Sequence, residues 1–480
     1  MITGKMLTGK KKAVVCVTLA LLLCMPVTLL IWGFALPEQY GDTFMGELGP
    51  KAALLRDTPG PRIVLVGGSG VAFGVDSALM EAELDGYNVV NFGLYAALGT
   101  TVMMDLSEPY IREGDIVLLI PEQQSQTLSD WFDPAVMWQG LDGAFSLLRD
   151  LPRDKLERLA GAFPAFAGQK AACCFFGALP GARGVYARGS FNERGDVASP
   201  LCARNEMPGG CDVNMPIRFE DGMATEAFAA RVREYADAVR ARGAVLWYGF
   251  CPMNAAAVEA ADTEIDDYYL RLREALGIPL AGDPHDFILE AGWFYDTNFH
   301  PNSSGKTVYT RALIRAVKAM LGDSSPTNIS LPEMPPNAEA EAWAGDDSDA
   351  ACFLYETGDG FVSIIGLTAE GQARRSLTVP SMWDGLPVTE LAAGAFAGGV
   401  RLEEVTIRRN IRVIGDGAFD GCAALKRILM EQTEPSACHV GQNLLIGTDA
   451  RVYVPAEALS AYRSDYFWSA YGTKILPREP

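Results

Sequence analysis

The sequence predicts an α/β protein: a doubly wound parallel sheet in three layers, preceded by one membrane-spanning helix and followed by a small repeat solenoid. Three observations predict it. Short, continuous apolar runs alternate with helical stretches between residues 61 and 120, the pattern of strands covered on both faces by crossover helices. Residues 13–36 are a run of 24 without a single charge. Residues 388–428 repeat with a period of 23, a length that suits leucine-rich repeats.

At 480 residues the chain exceeds one ordinary core and divides into several units. Its composition, 49% hydrophobic and 21% charged, is globular. Sixty acidic against forty basic residues leave a formal charge of -20, which argues against nucleic acid as a partner. Lys5, Lys10, Lys11 and Lys12 precede the uncharged run. That run exceeds the ~20 residues needed to cross a bilayer. The lysines predict a cytoplasmic tail at 1–12, a transmembrane helix at 13–36 and a single-pass protein of the cell membrane. Everything after Pro37 then lies outside the cytoplasm. The run is also longer than the apolar core of a cleaved signal peptide. Of the ten cysteines, Cys202 and Cys211 are the closest sensible disulfide pair. Paired Cys-x-x-Cys spacing is absent, so no metal and no cofactor is expected.

Residues 37–60 read as a linker ending in Thr58, Pro59 and Gly60. Ile63, Val64, Leu65 and Val66 make the first buried strand, which stops at Gly67, Gly68, Ser69 and Gly70. Those glycines strip away side chains that would keep a substrate from Ser69. Asp76 and Ser77 are candidate caps for a helix over 78–84, so Ser69 sits between a strand end and a helix start, the crevice where open α/β sheets bind ligands. Further strands are expected at 88–92 and 115–120, the latter ending at Pro121, Glu122, Gln123 and Gln124. Residues 125–222 read as an insertion over the sheet edge. Phe228, Val232, Tyr235, Ala236 and Val239 recur at helical spacing, a core-facing stripe. A strand at 244–250, a helix at 265–276 and a short strand at 278–280 continue the alternation. Asp296 and His300 then fall in the loop before a last helix over 304–321. An imidazole beside a carboxylate is what a serine nucleophile needs, as proton acceptor and as orienting group. His285 is the alternative base.

On these residues the segment 61–321 resembles the SGNH (GDSL-like) hydrolases and acyltransferases, a superfamily with a flavodoxin-like three-layer sheet. Gly67, Gly68 and Ser69 look like its first block, with Ser69 as nucleophile. Asn91, Phe92 and Gly93 look like the second, which implies the amides of Gly93 and Ser69 as oxyanion donors. The third block normally carries an asparagine. Glu122, Gln123 and Gln124 stand there instead, with Gln123 as the implied third donor. The last block reads Asp-x-x-His-Pro in the family. Here His300 and Pro301 match, and Asp296 precedes His300 by four residues rather than three.

Residues 322–350 have linker composition, rich in proline and acid. From 351 to 480 the chain resembles the BspA-like leucine-rich repeats of bacterial surface proteins: Val388, Leu391, Phe396, Leu402 and Val405 align with Ile411, Ile414, Phe419, Leu425 and Ile428. The resemblances together imply a membrane-anchored serine esterase or O-acyltransferase of the cell envelope. Ser69 is its nucleophile, His300 the base and Asp296 the orienting acid. The implied substrate is an acylated envelope polysaccharide or teichoic acid, with a membrane acyl-donor protein as a possible partner and a protein or glycan ligand on the repeats. The alternative is a non-enzymatic surface adhesion or scaffold protein that uses its repeats and keeps a degenerate SGNH domain.

Overall fold

The structure is a computed structural model and describes residues 24–176, 184–335 and 348–478, less 359–360, 385, 434, 436–437, 442, 446 and 466–467. Its first part is organised by β1 (Arg62–Gly67), β2 (Asn88–Gly93), β3 (Ile116–Ile120) and β4 (Val245–Gly249), with the short β5 (Met253–Asn254), β6 (Leu280–Ala281) and β7 (Ile288–Leu289). The central sheet has the order β2-β1-β3-β4-β6, and every pairing in it is parallel. All six residues of β1 are buried, the pattern of a parallel strand with no solvent side on which to place polar residues. Register then decides what meets at the sheet's carboxyl edge. Gly67 pairs with Gly93 on one side and with Ile120 on the other. The three strands therefore end level, and the loops carrying Ser69, Tyr95 and Glu122 emerge side by side.

The last helix of this part, Ser303–Leu321, starts at Asn302, whose side chain accepts a hydrogen bond from the Gly305 amide at 2.9 Å. It stops at Gly322, where φ is 70°, a left-handed stop that glycine adopts without strain. Tyr309, Leu313, Ile314 and Val317 form its buried face. Helix and sheet together fix the loop that precedes Asn302, which carries Asp296 and His300.

Two small, mainly parallel sheets make up the remainder. Their strands are β8 (Phe353–Thr357), β9 (Val362–Leu367), β10 (Ser376–Thr378), β11 (Met382–Trp383), β12 (Leu386–Leu391), β13 (Glu404–Ile407), β14 (Val413–Ile414), β15 (Arg427–Met430), β16 (His439–Val440), β17 (Arg451–Val454) and β18 (Ile475–Pro477). One sheet runs β10-β13-β15-β17-β18; the other runs β16-β14-β12-β9-β8, with β11 paired to β12. The 23-residue period is a strand-pairing register: Val405 pairs with Ile428 and Leu391 with Ile414. Phe396 stacks on Phe419 with ring centroids 4.7 Å apart. Identical apolar positions thus lie over one another, each burying the face of its neighbour.

The flavodoxin-like three-layer SGNH sheet, the transmembrane helix and the repeat solenoid expected from sequence are corrected by these observations, which give a five-stranded central sheet and two small sheets in the remainder. The described residues form a mixed α/β protein on small, largely parallel sheets, and no helix among them is long and apolar enough to cross a membrane. Of the expected span, residues 13–23 and the tail 1–12 lie outside the described residues. Residues 24–30 are helical and Ile31–Ala35 continue as a wider π turn. Met25, Val27, Leu30 and Ile31 are exposed, and only the end of the apolar run meets the rest of the protein. Phe34 lies 4.9 Å from the ring of Phe145 and 5.0 Å from that of Phe163, and the Gly33 carbonyl accepts a hydrogen bond from Lys170 at 3.1 Å. The expected single-pass placement, with extracytoplasmic domains, is not supported. Cys202 is a buried free thiol, so the 202–211 disulfide is not formed.

Candidate active site

Ser69 begins the helix Ser69–Gly74 directly after β1 and is only 4% exposed. A Cβ on Gly68 would lie 2.9 Å from Glu122 Oε1 and 3.2 Å from the Ala96 nitrogen. One on Gly70 would lie 3.3 Å from Glu122 Cγ and from the Phe299 carbonyl oxygen. The glycines around the serine therefore make room for the protein's own loops. The expectation that they clear a path for substrate is corrected accordingly.

The loop after β3 delivers Glu122, which is 3% exposed. Its Oε1 accepts hydrogen bonds from Ser69 Oγ at 2.9 Å and from the Gly70 amide at 2.8 Å. One carboxylate oxygen is thus tied to the serine hydroxyl and to the backbone at the start of the serine's helix. Sequence reasoning had passed over this residue in favour of its neighbour.

Opposite lies His300, 4% exposed. Its Nδ1 is 2.8 Å from Asp296 Oδ1. A proton on Nδ1 donated to that carboxylate leaves Nε2 as the basic nitrogen. The four-residue spacing works because the intervening chain folds back: the Tyr295 amide donates to the His300 carbonyl and the Asn302 amide to the Trp293 carbonyl, both at 2.8 Å. This narrow hairpin sets the two side chains face to face. Tyr186, from the 125–222 insertion, donates its hydroxyl to Asp296 Oδ2 at 2.5 Å. Burial, then the Asp296 charge, push the Tyr186 phenol well above its ordinary pKa, so it stays a donor. Phe73 stacks flat on the imidazole, with centroids 4.0 Å apart and planes 3° from parallel. Phe73 and Ser69 are one helical turn apart on the same short helix. The imidazole is therefore held against the element that carries the serine.

Two of the expected oxyanion donors, Gly93 and Gln123, are engaged elsewhere. The Gly93 amide donates to its own strand's Asn91 Oδ1 at 3.0 Å. The Gln123 amide turns away from the cavity and donates to the Arg218 carbonyl at 3.1 Å. His285 lies at the surface, 3.2 Å from Asp266, and does not line the cavity. Residues missed from sequence are Glu122, Tyr186 and Phe73. Glu122 carried a signal, since it occupies the end of a buried strand at the ligand edge; Tyr186 carried none.

Ser69, Glu122 and His300 share one cavity of about 810 Å³. Its far wall comes from the repeats, through residues such as Thr389, Asn410 and Arg412. Arg412 Nη2 donates to the Glu206 carbonyl at 2.8 Å, which ties that wall to the α/β part. No cluster of three or more His, Cys, Asp or Glu side chains suited to a metal occurs among the described residues. The arrangement offers a hydroxyl, an oriented imidazole and a second carboxylate around one cavity.

No family model and no curated protein matches the chain. Among solved structures, a leucine rich cell surface protein of Faecalibacterium prausnitzii A2-165 is 21% identical over 21% of this chain and 28% of its own, with a TM-score of 0.19. A leucine rich repeat protein of T. pallidum is 26% identical over 22% of this chain and 60% of its own, with a TM-score of 0.18. The Bacillus subtilis protein YXIM is 12% identical over 54% of this chain and 57% of its own, with a TM-score of 0.26. The chain spans less than two thirds of the length of each. Two of these three neighbours are leucine-rich-repeat proteins, and one of those two is described as a cell-surface protein.

Proposed function

We propose that this is a leucine-rich-repeat protein whose α/β part carries a serine-dependent acyl-ester site, working as an esterase or O-acyltransferase. The observation that carries this reading is the His300–Asp296 pair at 2.8 Å in the cavity that Ser69 also lines. Ser69 Oγ leaves Glu122, gives its proton to His300 Nε2 and bonds to the acyl carbon, whose carbonyl becomes the oxyanion. Collapse of that intermediate breaks the ester C–O bond, and the proton on His300 passes to the departing alkoxide. Water or a second hydroxyl then attacks the acyl-enzyme while His300 takes its proton; the acyl–Ser69 Oγ bond breaks, and His300 returns the proton to Ser69 Oγ. Acyl groups on a cell-envelope polysaccharide or teichoic acid are the proposed substrate class, with a separate acyl donor required for transfer.

The test is labelling of the full chain with a fluorophosphonate probe beside Ser69→Ala and His300→Ala. Labelling that disappears in both variants is the expected result. An unlabelled wild type, next to a serine esterase that labels in the same tube, sinks the enzymatic reading. One observation favours the second reading, a non-enzymatic surface scaffold: Glu122 accepts from both Ser69 Oγ and the Gly70 amide, and so lies at the helix start where a developing oxyanion would be stabilised.

A further inference from the structure

The lining of the cavity shows a regularity on its repeat side. Pro387, Asn410 and Thr433 line it and stand 23 positions apart, as do Thr389 and Arg412. Stacked repeats place equivalent residues in a row, so one edge of the repeat stack faces the serine. Two polar atoms on that edge lack a partner among the described residues. Asn410 is 3% exposed and donates its amide to the Val388 carbonyl, while its Oδ1 is buried and accepts nothing. Arg412 is held through Nη2 by the Glu206 carbonyl, while its Nε is buried and donates to nothing. No carboxylate among the described residues forms an ion pair with it, since the Glu206 side chain pairs with Arg204 at 3.1 Å instead. Leaving a buried donor or acceptor unmet costs about 1–3 kcal/mol, more for a charged group. Two such atoms within three residues, on side chains that both line one cavity, mark a surface shaped for a ligand.

We infer that the repeats form the specificity wall of the Ser69 cavity, where Arg412 and Asn410 bind an acyl-ester substrate bearing an anionic group next to a free hydroxyl. This rests on the acyl-ester reading above and gives it a substrate class. A carboxylate or phosphate takes the guanidinium's unused N–H groups, a geometry that arginine offers better than lysine. A neighbouring hydroxyl donates to Asn410 Oδ1. Burial lowers the Arg412 pKa, with Asp212 opposing; an anionic ligand relieves that cost. Tyr95, 36% exposed on the cavity's other side, supplies an aromatic face for a sugar ring. A cavity of about 810 Å³ is in the range that holds a small oligomer.

The experiment is calorimetric titration of the full-length Ser69→Ala chain with three de-esterified probes: trigalacturonate for the carboxylate, a glycerol-phosphate trimer for the phosphate, and xylotriose as the neutral control. At least one acidic trimer is expected to bind ~10-fold or more tightly than xylotriose, and which one binds identifies the anion. Adding Arg412→Gln should remove that preference, and Arg412→Lys should restore part of it by returning the charge. The inference is overturned if neither acid binds at millimolar concentration, if xylotriose binds equally well, or if an Arg412→Gln protein with unchanged melting keeps the preference. Fluorophosphonate labelling of the wild type separates the two readings. Arg412-dependent binding without labelling overturns the esterase and leaves the wall standing; labelling with Arg412-independent binding overturns the wall alone.

Discussion

His300 and Ser69, the two sides of the candidate site, are held differently. His300 is held on every side: Asp296 at Nδ1, Tyr186 behind Asp296, and Phe73 flat against the ring. Ser69 is instead tied by Glu122, which also holds the Gly70 amide. On the proposed esterase reading, the base is preorganised and the nucleophile is occupied. A carboxylate that must release a hydroxyl imposes a cost before the chemistry begins, whereas an imidazole already fixed in tautomer and orientation imposes none. If the proposed chemistry holds, the serine side is guarded and the histidine side is ready.

Asp296→Asn should have the largest effect, because it disturbs the tautomer on the ready side. The rate of fluorophosphonate labelling is expected to fall ~10⁴-fold, in line with loss of the orienting acid in serine hydrolases. A fall below 10-fold would mean that His300 does not depend on Asp296. Glu122→Gln probes the guarded side. Loss of its charge should weaken the hold on Ser69 and raise the labelling rate ~10-fold, as expected for ~1.4 kcal/mol removed from the barrier. If labelling collapses instead, Glu122 is itself the base and the comparison is broken. Tyr186→Phe removes one hydrogen bond to Asp296, for which a loss of ~1 kcal/mol predicts ~5-fold slower labelling, with melting nearly unchanged.

The smallest effect concerns the support beneath the serine half. Lys51 is fully buried and donates to the Asn91 carbonyl at 2.9 Å. Burial lowers its pKa from the ordinary 10.5 to about 8, with Asp196 opposing. The folded chain therefore loses this proton first, and the unfolded chain holds more protons between about 8 and 10.5. Where that is so, stability rises with pH. Denaturant midpoints of the wild type, relative to Lys51→Met, should climb between pH 8 and 9.5. A flat difference would show that Lys51 does not titrate in that window.

Much of the candidate site was legible because its parts are local. A buried run ending in glycines and a serine, and a His-Pro before a capped helix, are patterns read within a few residues. Gln123 and Glu122 show the limit. Leaving an extended strand, successive side chains point to opposite faces, so an error of one residue selects the wrong face: Gln123 meets Arg218 and Glu122 meets Ser69. The membrane expectation failed for a related reason. An uncharged run is equally suited to lipid and to an aromatic cluster, and its end finds Phe145 and Phe163.

By itself the sequence determined the strand runs, the 23-residue period, and the candidates Ser69, Asp296 and His300, since each depends on neighbours along the chain. Only the tertiary structure decided that the Gly93 amide is spent on Asn91, that Tyr186 backs Asp296, and that the repeats close the serine's cavity with Arg412. Those contacts join residues far apart in sequence or hinge on one hydrogen bond among several possible. Pattern along the chain carries no information about which distant groups the packed core will bring within 3 Å.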